Sequence, residues 1–185
     1  MGANCFSVDR RPALTGTRIS RVTAILSICE WIDSTAFSTA IRESTWWFPI
    51  IETVHVLGIA ASAGTILFVD LRLLGIGMKR EPLSEVLEQL QPWTLSAFLV
   101  MVISGALLFT SEAVKCYHSG FFQIKVGLLV LAAVNAALFH AKVYPGVEVW
   151  DNLPAAPGRA RMAGGLSLAL WIGIIAMGRA IAYGK

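Results

Sequence analysis

Charge is scarce in this sequence. Asp, Glu, Lys and Arg make up 15% of its 185 residues, while apolar side chains reach 56%. An ordinary soluble domain carries ~25% charged residues. The mean hydropathy is +0.66. A chain of single-domain length cannot hide that much apolar surface from water, so its solvent is lipid. This excludes a soluble enzyme and a disordered chain. Positive charge is also sparse, with a net +3 spread over scattered positions. Without a basic patch, no polyanionic partner such as nucleic acid is expected. Cysteine is nearly missing: Cys5, Cys29 and Cys116 are odd in number and have no CxxC spacing. They support neither a disulfide framework nor a thiolate metal site.

What is abundant is long uncharged sequence. Residues 53–69, 89–111, 126–141 and 162–178 contain no Asp, Glu, Lys or Arg. Extended to their aromatic, Pro or Gly boundaries, they predict transmembrane helices over 46–77, 92–117, 121–144 and 159–184. Each meets the ~20 residues needed to cross ~30 Å of hydrocarbon. Trp46, Trp47, Trp93, Tyr117, Tyr144 and Tyr183 stand at the ends, where interfacial anchors belong. The segment 81–91 has Leu83, Val86, Leu87 and Leu90 at helical spacing, which predicts a surface helix returning the chain to the bilayer. Tyr117–Gly120 reads as a tight turn, and Pro145–Gly158 as a loop on the opposite side.

The N-terminal part is more polar. Ile25, Ile28, Cys29 and Ile32, then Ala36, Phe37, Ala40 and Ile41, follow helical spacing, with a break at Asp33–Ser34 where the second piece could be capped. Glu30, Asp33 and Arg42 make residues 22–43 too polar to span, so they are expected to lie along the interface. Residues 1–21 read as a basic tail. Arg10–Arg11 is followed by Pro12 and an apolar stretch broken by Glu30, which argues against a cleaved signal peptide. The expected architecture is all-α: one membrane domain over 22–184, a four-helix bundle preceded by an interfacial amphipathic helix.

Ionisable residues inside spans are costly and functional by default. Let side A be the face where the first span begins, and side B the other. Lys79, Arg80, Lys142, Arg159 and Arg161 gather on side B and favour it for the cytoplasm. The helical rise puts Glu52, His55, Glu112, Lys125 and Arg179 in a side-A layer, His55 deepest at ~12–14 Å. Asp70, Asn135 and His140 form a side-B layer. The bland expectations are interhelical pairs Glu52–Arg179 and Asp70–Arg161, an i, i+3 contact Glu112–Lys115, Asn135 as helix glue, and interfacial hydrogen bonding for His140. On this reading Asp70 and His140 serve stability rather than chemistry. His118 is expected in solvent. Glycines at small-xxx-small spacing (Gly58 with Ser62, Gly165 with Ala169 and Gly173) are packing faces first. A lone imidazole as deep as His55 needs a partner or a ligand, and Glu52 three residues earlier is near its face.

The stretch RESTWWFPIIETVHVLGIAASAGTILFVDLRLLGIG (42–77), with PW (92–93), NAALFHAKVY (135–144), AGGLSLALW (163–171) and GRAIAY (178–183), resembles a family of small bacterial four-helix membrane proteins of unknown function. More distantly, His55, Gly64 and Arg72 look like the first-helix pattern of HemJ-type protoporphyrinogen oxidases and CopD-like copper-resistance membrane proteins. In the HemJ-type proteins that histidine ligates haem b, so the resemblance implies iron ligation by His55. Asp70 stands where those enzymes favour a proline, and porphyrinogen oxidation is not carried over.

A haem needs an apolar slot, a neutral imidazole on iron and cations for its propionates. The side-A layer offers His55 as ligand, Lys125 and Arg179 as propionate partners, and Glu52 to orient the imidazole. One expectation is therefore a haem b protein of the bacterial inner (cytoplasmic) membrane taking part in electron transfer or membrane redox chemistry. The alternatives are a non-redox accessory subunit and a metal-ion or small-solute carrier. The expected partners are the lipid bilayer and other membrane subunits or further copies of the chain.

Overall fold

The computed structural model describes residues 16–77, 81–151, 153 and 156–183. Within them, seven α-helices run in chain order as α1 (Gly16–Asp33), α2 (Ala36–Arg42), α3 (Trp47–Leu74), α4 (Leu83–Ser111), α5 (Ala113–His118), α6 (Gly120–Leu138) and α7 (Gly158–Tyr183). Phe139–Val143 widens into a π-turn and Tyr144–Val149 tightens into a 3₁₀ turn, so helical winding continues from α6 to residue 149. Among the described residues, four helical stretches are long and apolar enough to cross a membrane: α3, α4, Gly120–Val149 and α7. The chain is a multi-pass membrane protein with an all-α fold.

The helix ends have local causes. Gly75, at φ 73°, takes the left-handed conformation that ends α3, and it is the residue that can do so without a Cβ penalty. Its N–H donates to the Arg72 carbonyl and that of Ile76 to the Leu71 carbonyl, the Schellman arrangement. Thr35 caps α2 by accepting from the Ser38 amide, and Ser119 caps α6 by accepting from the Phe122 amide. The cap of α2 is thus Thr35, one or two positions beyond the expected Asp33–Ser34. Helix α1 already begins at Gly16, inside the stretch read as a basic tail. Residues 1–15, with Arg10 and Arg11, lie outside the described residues, as do Lys79, Arg80, Pro154 and Lys185.

Residues 81–91 do not form a separate surface helix. They are the first turns of α4, which passes through Pro92 without ending. The apolar face expected to meet lipid headgroups is instead used in a tertiary core. Leu83 and Val86 are buried, and Leu83 packs with Leu73, Phe139, Val147, Trp150 and Ala160. Thr94 Oγ1 donates to the Leu90 carbonyl in the turn that Pro92 interrupts. At the other end the expected span 92–117 breaks at Glu112, and α5 restarts beyond it.

The spans form a row in the order α4, α3, α7, α6, with α3 packed on both α4 and α7, and α6 on α7. Gly58 lets α3 approach the Met101 backbone of α4; a Cβ there would stand 3.2 Å from Met101 N. Met101, Trp171 and Ile174 form a buried layer across the middle of the row. The outer helices α4 and α6 meet near side A through the stacked rings of Phe109 and Phe122, 5.6 Å apart. On side A, α1 packs on α5 and α2 on α4. Arg42 Nη1 donates to the Ser111 carbonyl at the C-terminus of α4 and pairs with Asp33 at 3.2 Å.

Candidate functional site

The side-A residues come together only in part. His55 lies on α3 against α4, its Nδ1 3.0 Å from the Met101 carbonyl and 3.1 Å from Ser104 Oγ. A carbonyl can only accept, and the Ser104 hydroxyl already donates to Val100 O. Both partners therefore call for an Nδ1–H, which leaves the lone pair on Nε2. The ring sits in a notch made by Gly105, where a Cβ would come within 2.9 Å of Cε1. Lys125 of α6 is half-buried, lies across Gly178 of α7, and is near enough for its charge to act on His55. Glu52 does not join them. It is exposed and makes no hydrogen bond or ion pair with a described residue, so neither Glu52–His55 nor Glu52–Arg179 forms. Arg179 turns along its own helix, donating to Tyr183 Oη at 2.8 Å with its guanidinium over that ring. Glu112 and Lys115 pair at 2.9 Å, and His118 is exposed. Beside them in α5, burial, with the charge of Glu112, pushes the Cys116 thiol up to about 11. No three metal-ligating side chains converge among the described residues.

The side-B layer is where the structure departs most from the expected locks. Asp70 is only 4% exposed, and its Oδ2 has no hydrogen-bond partner among the described residues. Ser167 of α7 is its hydrogen-bonding neighbour. The Asp70–Arg161 pair does not form, since Arg161 is exposed and Asp70 makes no ion pair with a described residue. Arg72 is closer in sequence but points elsewhere, as residues i and i+2 of a helix must. Its buried guanidinium donates to the carbonyls of Glu81 (2.7 Å), Asp151 (2.9 Å) and Leu153 (3.4 Å). Asn135 donates to the Ala163 carbonyl at 3.0 Å, tying α6 to α7 as helix glue. His140 is exposed, with Nδ1 bonded to the Ala136 carbonyl one turn back and its ring edge-on to Phe139.

Asp70 lines a cavity of about 430 Å³ between α3, α4, α6 and α7. The walls are apolar apart from Asp70, Ser167, Asn135, Thr94, Gln91 and His140. Towards side B it ends at Leu73, Leu87 and Phe139, part of the core under the 144–150 turn. Towards side A it ends at Trp171, within the layer formed with Met101 and Ile174. That layer separates it from the level of His55, which is not among its walls.

A latch closes the side-B end. The Ser84 amide donates to Asp151 Oδ1 at 2.9 Å and the Ser84 hydroxyl to Oδ2, so the loop carboxylate caps the start of α4. Burial works against this carboxylate. The hydrogen bonds from Ser84, the Leu83 amide and the charge of Arg72 outweigh it and hold Asp151 below the usual carboxylate range.

The sequence signal for the side-B acid is Asp70–Leu71–Arg72, where a span carries an acid whose nearest cation in sequence cannot share its face. Apolar volume and four helices able to bury a carboxyl make the cavity a conventional small-molecule pocket in size and lining. The cavity presents one carboxyl oxygen without a hydrogen-bond partner among the described residues, in a largely apolar space.

No curated protein and no solved structure matches the chain, the HemJ-type and CopD-like proteins included. Residues 28–184, which hold both layers and the cavity, match the Family of unknown function (DUF6644), and the chain belongs to that family.

Proposed function

We propose that this protein binds a small, largely apolar molecule within the bilayer, in the Asp70 cavity, and acts as a small-solute carrier or binding subunit of the bacterial inner membrane. One observation carries the reading: Asp70 lines the cavity, and its buried Oδ2 has no hydrogen-bond partner among the described residues. A polar atom left unsatisfied in hydrocarbon costs several kcal/mol. A fold that keeps one beside an apolar pocket keeps it for a ligand that completes it. Native mass spectrometry of the protein released from its membrane tests this. The wild type is expected to retain a discrete small molecule that Asp70→Asn loses; identical spectra for the two would refute the reading.

A second reading is favoured by the seating of His55. An imidazole whose Nδ1–H is held by a main-chain carbonyl presents Nε2 to a metal, the usual arrangement of metal-ligating histidines. This supports His55 as the residue that would ligate the iron of a haem b, and Lys125 as one that would pair with a propionate. Glu52 and Arg179 are not turned towards that position. Haem would supply one-electron redox chemistry there. The residues present would hold the iron by one histidine and one propionate by one lysine, and the enclosed space lies at Asp70, so no redox step is assigned. A Soret band lost in His55→Ala would establish this reading, and a colourless wild type from haem-replete cells would end it.

A further inference from the structure

We infer that the Asp70 cavity is loaded from the lipid, through the gap between α4 and α6, and takes a single-chain amphiphile whose amine head meets the Asp70 carboxyl. The inference rests on the binding reading above and adds to it a route and a ligand class.

The route follows from which walls are closed. Towards side B, Leu73 and Phe139 are buried in the core beneath the 144–150 turn, and the Arg72 and Asp151 hydrogen bonds pin that loop to α3 and α4. Towards side A, Trp171 is buried with Met101 and Ile174. Between α4 and α6 the wall is open. Leu95 is 59% and Phe98 39% exposed although both line the cavity, and Ala133, Ala136 and His140 opposite them are exposed too. These positions lie inside two spans, so what they face is hydrocarbon. A molecule dissolved in the bilayer reaches Asp70 by sliding between two helices. One arriving from water must first break a packed core.

The ligand class follows from charge and hydrogen bonding. Among the described residues no Lys or Arg lines the cavity, so none of them balances Asp70 there. The Thr94 hydroxyl is committed to Leu90 and Thr65, one Asn135 N–H to Ala163, and His140 Nδ1 to Ala136. The free carboxyl oxygen therefore calls for a donor, and a cationic donor also neutralises it. The remaining wall is apolar and suits an alkyl chain leaving through the gap.

The test uses full-length protein in lipid nanodiscs and dodecylamine bearing a nitroxide on its tail, with nitroxide-labelled dodecanoate as control. Spin-label spectra report the immobilised, bound fraction. Wild type is expected to immobilise the amine in preference to the acid. Asp70→Asn should weaken amine retention by ~30-fold or more, as removing one partner of a buried charge pair does, and Asp70→Leu should match it if the amide variant folds poorly. Ala136→Trp, which fills the lateral gap, should slow loading at least tenfold with Asp70 intact, and Asp151→Ala, which loosens the side-B latch, should not accelerate it. Amine retention unchanged in both Asp70 variants would overturn the binding reading itself. Loss in the Asp70 variants with unhindered loading in Ala136→Trp, or faster loading in Asp151→Ala, would leave that reading standing and overturn the lipid route. Preference for dodecanoate would overturn the amine head.

Discussion

Replacing Asp70 by leucine should stabilise the ligand-free protein. In the structure the carboxyl is buried, one oxygen is unpartnered, and Ser167 supplies its hydrogen-bonding contact. An unsatisfied buried polar group costs ~1–3 kcal/mol, and the lost Ser167 bond is worth ~1 kcal/mol. Leucine is close in volume and borders a cavity, so overpacking adds little. The net expectation is a gain of ~0–2 kcal/mol, or up to a few degrees in the unfolding midpoint by the usual scaling for chains of this length. Thermal unfolding followed by far-UV circular dichroism in detergent, with ligand stripped by extended washing, measures it. The alternative picture, in which Asp70 is half of a helix-end ion pair, predicts the opposite sign: breaking a buried pair costs ~3–5 kcal/mol. A midpoint lowered by that amount would refute the reasoning and restore Asp70 as a structural lock.

Three further outcomes follow from the same contacts. Arg72→Met should destabilise the protein by ~3–5 kcal/mol, because three carbonyls lose a charged donor that is 2% exposed, and hydrogen exchange should quicken first at 144–151. The Asp151 latch should depend on pH. Its carboxyl is held below the ordinary value, so the stabilisation is complete above about pH 4, the unfolded value, and is lost as pH falls through the lower folded one. Exchange protection of the 144–151 turn, measured from pH 6 down to pH 3, should then fall at the acid end in wild type and be flat in Asp151→Asn. Gly105→Ala should displace the His55 ring, whose Cε1 would stand 2.9 Å from the new methyl, at a cost of ~1–3 kcal/mol, seen as a shift of the His55 imidazole resonances.

The fold was largely readable from composition because hydrocarbon selects directly for uncharged length. The charge-free runs at 53–69, 126–141 and 162–178 fall inside α3, the 120–149 stretch and α7. Residues 81–91 escaped because an apolar helical face reads alike whether it meets headgroups or a core, and only Val147 and Trp150 from a distant loop decide which. The site was less legible, for a geometric reason. Helical rise gives depth, and depth alone grouped Glu52, His55, Lys125 and Arg179. Which of them face inward depends on the rotation of each helix in the bundle, and there Glu52 and Arg179 turn out while His55 and Lys125 turn in. Asp70 was legible as an acid in a span. Its lack of a partner was not, because Arg161 is at the right depth and faces away.

The central claim is that the side-B cavity holds a ligand against Asp70. Its most direct test is the electron density of the protein crystallised in a lipid mesophase after extraction in native membrane patches, without detergent exchange. The account predicts continuous non-protein density between α4 and α6, ending within hydrogen-bond distance of Asp70 Oδ2. A collapsed cavity with Asp70 paired to Arg161 or Arg72, in an otherwise unchanged fold, would contradict it.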